Sequence, residues 1–199
     1  MTKRLAIYFF LTLFFVGNSC SFGRKIKDGA TAYERKQYAV AVDMLLSEYE
    51  KADSDRSQAK IAYLLGDSYK FLEENALSIE WFEKAEKQNY GNEALLGLAR
   101  AYKKEGKYSE AVAVYNKLKG SVANKRDIER EIYVIKEVAK WANTPMEGVT
   151  VSLVNESSAF SEYSPVVLDG NFVVFTGDLD DGTGTEDYKW TGNKHSDIF

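Results

Sequence analysis

Apolar residues enter this chain in three different rhythms. From Leu5 to Val16 they run almost without a break, interrupted only by Thr12. From about residue 27 to Trp141 they recur three and four positions apart with charges between them, the period of an amphipathic helix. Asn124 to Trp141 shows it plainly, with Ile128, Ile132, Ile135, Val138 and Ala139 on one face. From Gly148 onward the period shortens to two. Val149 to Val154 alternates with β-branched residues and predicts a strand. Pro165 to Phe175 predicts two strands around an Asp169-Gly170 turn, and Asp197 to Phe199 begins a further one. Between them, Asp178 to Asp187 reads as an acidic, glycine-bearing loop.

The helical stretch matches itself at a spacing of 33. Leu65 answers Leu98, Tyr69 answers Tyr102, Phe82 answers Tyr115, and the small residues Gly66 and Ser78 answer Ala99 and Ala111. The match fails at Ala62 against Leu95. Small side chains at fixed positions predict close helix crossings, and the large aromatics fill the space between successive helix pairs. Lys104 to Tyr108 supplies a turn whose Gly106 ends a helix. Residues 27–57 read as an earlier, divergent repeat, with Gly29, Tyr38, Ala41 and Leu45 at corresponding places. The helix after Gly120 predicts a cap on the open end of the stack.

This arrangement resembles a tetratricopeptide domain, which packs two antiparallel helices into about 34 residues. In that family the first helix of each pair lines a concave groove. Carried over by position, the resemblance implies a groove presenting Lys60, Tyr63, Asp67, Lys70 and Phe71, followed by Glu93, Leu96, Arg100, Lys103 and Lys104. Its cations suit an acidic segment or a C-terminal carboxylate of a protein or peptide partner.

Lys3 and Arg4 precede the apolar run, and Gly17, Asn18 and Ser19 lead from it into Cys20. The run is too short to span a hydrocarbon core of about 30 Å and has the length of a signal-peptide core. Small residues followed by the one cysteine of the chain resemble a bacterial lipobox, in which that cysteine is lipidated and becomes the mature N-terminus. Gly17 stands where a leucine is usual. An ordinary signal peptide with a chance cysteine, or a short membrane-anchoring helix, is the alternative. The lipoprotein resemblance implies a membrane contact through the lipid on Cys20. No acidic run follows Cys20, which favours the periplasmic face of the outer membrane over the cell surface.

Ser161 to Pro165, Asp169-Gly170 and Phe172 to Thr176, with the closing Asp197 to Phe199, resemble the opening blade of a β-propeller of the periplasmic PD40/WD40-like type. A propeller needs at least about four blades, so the expectation is an incomplete blade, part of a longer protein. Lipobox, tetratricopeptide repeats and blade in this order resemble an outer-membrane lipoprotein of OmpA-like type associated with type IX secretion.

Composition narrows the chemistry. Of 199 residues, 45% are hydrophobic, enough for a real core. One cysteine excludes a disulfide framework and a cysteine zinc site, and one histidine, His195, leaves no Ser-His-Asp set. Gly182-Thr183-Gly184 lacks the lysine and the strand–helix setting of a phosphate loop. Asp178, Asp180, Asp181, Glu186 and Asp187 carry oxygen ligands without the spacing of a calcium loop. Residues 24–141 hold 22 Lys/Arg against 20 Asp/Glu, a net of +2, and residues 142–199 hold 2 against 10, a net of −8. That step marks a boundary near Ala142, and an acidic tail without a basic stripe disfavours nucleic acid.

The expected architecture is α+β in segments. Residues 1–19 form a lipoprotein signal peptide and 20–26 a lipidated linker. Residues 27–141 form a helical repeat solenoid with a capping helix, and 142–199 an incomplete all-β segment. The expected function is a non-catalytic scaffold docking envelope proteins, with no cofactor, no metal and no small-molecule substrate. A periplasmic carbohydrate- or small-ligand-binding sensor is the alternative.

Overall fold

The computed structural model describes residues 25–144, 146–150, 161–168, 172–180, 182–183 and 185–198. The apolar run, Cys20 and the Asp169-Gly170 turn lie outside those residues, as do Val151 to Val154 of the strand expected there. Val149 and Thr150 are described and are not in a strand.

Among the described residues, seven helices follow one another: α1 (Gly29–Glu34), α2 (Tyr38–Lys51), α3 (Asp55–Phe71), α4 (Asn75–Lys87), α5 (Asn92–Lys104), α6 (Tyr108–Lys119) and α7 (Arg126–Ala142). They form a tetratricopeptide-like array. Helix pairs α1–α2, α3–α4 and α5–α6 stack in order, and α7 closes on α6. Ile128 and Ile135 of α7 are buried against Tyr115 and Leu118 of α6.

The expected crossings are where the small residues are. Ser78 of α4 donates its hydroxyl to the Gly66 carbonyl of α3 at 2.8 Å, and Gly66, Ser78, Ala99 and Ala111 are all buried. A Cβ added at Gly66 would stand 2.9 Å from the Phe82 ring. At Gly97 of the next pair it would stand 2.5 Å from the same ring. The Phe82 phenyl is therefore gripped between α3 and α5. The aromatics at the other repeated positions divide: Tyr115 is fully buried like Phe82, whereas Tyr69 and Tyr102 are only half-buried.

Each pair turns in the same way. Lys36, Glu73 and Gly106 follow helices α1, α3 and α5 with φ of 58°, 64° and 73°. The next amide then reaches back five residues, Gln37 to the Ala32 carbonyl, Glu74 to Tyr69 and Lys107 to Tyr102. This left-handed closure satisfies last-turn carbonyls and favours glycine, yet only the third turn has one. Lys36→Gly is thus expected to raise stability by about 1 kcal/mol, read as an upward shift of the denaturation midpoint. No change, or a loss, would show that the Lys36 side chain compensates for its backbone.

Beyond α7 lies a small antiparallel sheet in the order β1 (Glu162–Leu168), β2 (Phe172–Gly177), β3 (Asp197–Ile198). Strand β1 begins three residues before the expected Pro165. An irregular register between Tyr163 and Val166, with Ser164 at φ 56°, accommodates the proline at the sheet's edge. Val166, Val167, Phe172 and Val173 remain more than half exposed. Buried Asp178 ties the segment together, accepting from the Ser161 amide at 2.8 Å and the Asn193 side chain at 2.9 Å.

Candidate protein-docking face

Helices α1, α3, α5 and α7 follow one another along one side of the array. The Tyr33 hydroxyl of α1 donates to Asp67 of α3 at 2.6 Å, and Lys103 of α5 pairs with Glu131 of α7 at 2.8 Å. Side chains spaced three and four apart on these helices share that side. In α3 they are Lys60, Tyr63, Asp67, Lys70 and Phe71, and in α5 Glu93, Leu96, Arg100, Lys103 and Lys104.

These ten do not form one uniform strip. Asp67 is buried, and besides Tyr33 it holds Lys70 in an ion pair. The Lys70 ammonium also lies 4.4 Å from the centre of the Phe71 ring. Burial, then the bond to Asp67, pushes the Tyr33 hydroxyl well above its usual range. Lys104 turns away to Glu73 in the α3–α4 turn. Leu96 packs half-buried against the Leu95, Ala99 and Tyr115 cluster.

A second group gathers midway along the face. The Tyr63 ring stacks on Tyr90, 4.5 Å between centres, and leans on Phe82 at 5.9 Å. Burial raises the pKa of both hydroxyls, with the Glu93 carboxylate adding to it and Arg100 working against it at Tyr63. Arg100 is exposed and lies beside the Tyr115 hydroxyl, which is buried without a hydrogen-bond partner among the described residues. Among the described residues, Arg100 and Lys60 carry no ion pair. Lys70, Lys103 and Lys104 each have one.

Tyr90 and Tyr33 complete this face without having been expected there. Tyr90 sits in the α4–α5 turn, where helical periodicity carries no signal. The signal in the sequence is the high tyrosine content, 13 in all. In the tail, Asp187 pairs with Lys194 at 2.9 Å while Asp178 is occupied as described. Among the described residues no three carboxylates or histidines gather as a metal site. Asp197 accepts from the Thr183 hydroxyl and amide, bonds that hold its carboxyl down at about 2.

Nothing in the arrangement of these described residues pairs a nucleophile with a base. The face offers a half-buried tyrosine stack and, among the described residues, two cations and the Glu93 carboxylate without an ion pair. The tetratricopeptide repeat family model matches residues 59–91 and 93–120, which are helix pairs α3–α4 and α5–α6. No curated protein matches the chain. Repeats of this family indicate a scaffold for protein–protein interaction, with proteins or peptides as the general kind of partner.

Proposed function

We propose that the chain is a non-catalytic adaptor of the bacterial envelope, anchored in the outer membrane through lipid on Cys20 and facing the periplasm. Its α3–α5 face docks an acidic segment of another envelope protein, within a secretion or envelope assembly of the type IX kind. The observation that carries the docking reading is the placement of Arg100 beside the Tyr63–Tyr90 stack. A cation without an ion pair among the described residues, next to half-buried aromatic surface, suits a carboxylate followed by apolar residues. The anchoring reading rests on the apolar run, the small residues before Cys20 and the resemblance to an OmpA-like lipoprotein.

Affinity capture with the full chain from a bacterial envelope extract, read by mass spectrometry, tests the docking reading. The expected result is one or a few envelope proteins, eluted by salt. Capture of nothing above a control lacking the chain would refute it. Anchoring has a separate test. Cys20→Ala is expected to move the protein from the membrane fraction to the soluble periplasm. If the variant still sediments with membranes and the wild type carries no lipid mass, Cys20 is not the anchor.

A further inference from the structure

The turn between Tyr188 and Asn193 reaches across the molecule to the first repeat. Its Trp190 ring meets Tyr38 edge-on at 5.0 Å and Phe71 at 6.1 Å, while Tyr38 and Phe71 stack on each other at 4.3 Å. Trp190 also pairs with two helix ends at once. Its indole N–H donates to the Phe71 carbonyl at 3.4 Å, and its own carbonyl accepts from the Ala39 amide at 3.1 Å. Phe71 is the last residue of α3 and Ala39 the second of α2, so neither group has a partner within its own helix. Gly192 lies so close that an added Cβ would stand 3.2 Å from the Ala39 Cβ.

We infer that the Tyr38–Phe71 notch is a recognition site for a tryptophan carried on a tight turn, filled in this chain by its own Trp190. The notch supplies what such a residue needs: an aromatic wall for the ring, an acceptor for the indole N–H and a donor for the backbone carbonyl. The turn is shaped for it in advance. The Tyr188 amide donates to the Asn193 carbonyl at 2.7 Å, and Asp187 bridges to Lys194 beneath. Phe71 belongs to the notch and to the α3 face alike.

The Ala39 amide reports occupancy, because its hydrogen-bond partner among the described residues is the Trp190 carbonyl, which the docked ring holds in place. In the full chain, Trp190→Ala is expected to speed Ala39 hydrogen exchange by roughly tenfold, with Leu98 and Tyr115 amides as unchanged references. A cyclised peptide of residues 187–194 is then expected to restore protection in that variant and to leave the wild type unchanged. The same peptide with alanine for tryptophan restores nothing. Equal Ala39 exchange in wild type and variant would overturn the inference. So would failure of the cyclised peptide to protect the variant, or equal protection by the alanine peptide.

Discussion

Phe82→Ala is expected to lower the stability of the helical array by about 3–5 kcal/mol, the usual cost of emptying a fully buried phenylalanine site. The cavity cannot collapse easily, because the ring is held by backbone on both sides. Gly66 and Gly97 present bare Cα atoms to it from α3 and α5, and Tyr63 leans on its edge. The same geometry predicts the reverse substitution. Gly66→Leu or Gly97→Leu forces side-chain atoms into the ring's place and is expected to cost about 1–3 kcal/mol. Denaturant midpoints at constant slope read both effects. If Gly66→Leu leaves the midpoint where it was, the α3–α4 crossing is looser than described. Ile135→Ala serves as the contrast, since Ile135 is buried in the cluster at the end of the array and its loss should fray α7 first.

Reversing Lys60 and Arg100 together to glutamate is expected to weaken partner capture by more than tenfold, while leaving helix content and midpoint unchanged. Both side chains are exposed, and neither has an ion pair among the described residues, so no ion pair is lost. One exposed charge contributes less than about 1 kcal/mol, which is why a pair and a reversal are needed. The wild-type interaction should weaken as salt rises, with exposed charges screened beyond about 8 Å at physiological ionic strength. Lys103→Glu behaves differently: it sets two carboxylates opposite each other across α5 and α7 and is expected to loosen the cap as well. Undiminished capture by the Lys60/Arg100 variant at low salt would place docking on another surface.

The array was legible in the sequence because its determinants are local and periodic. The 33-residue match places Gly66, Ser78, Ala99 and Ala111 at crossings without any knowledge of distance, and α7 declares itself through Ile128 and Ile135. Gly97 was not legible: half-way along α5 it matches nothing in the preceding repeat, and only the position of Phe82 explains it. Lys36 and Glu73 were hidden for the opposite reason. Their left-handed backbone is imposed by the turn, and their identities argue against it. At the docking face, periodicity found the residues of α3 and α5 but not their engagements. Of the groove's five cations, Lys70, Lys103 and Lys104 have carboxylate neighbours from 3 to 31 residues away. The Asp67–Lys70 pair lies at helical spacing, whereas pairings across 28 and 31 residues leave no trace in it. The Trp190 contact, 119 residues from Phe71, is the extreme case.

The same separation sets an order of events when the chain folds. Contacts within α3–α4 and α5–α6 close short loops and form early, whereas a contact spanning more than a hundred residues waits until the intervening chain is compact. Helix α1 has only six residues, too few to persist without its neighbours. The first repeat thus gains its last helix-end partners from a turn that leaves the ribosome some 150 residues after Tyr38. Nucleation belongs to the middle of the array, and the amino-terminal repeat, although synthesised first, is completed last.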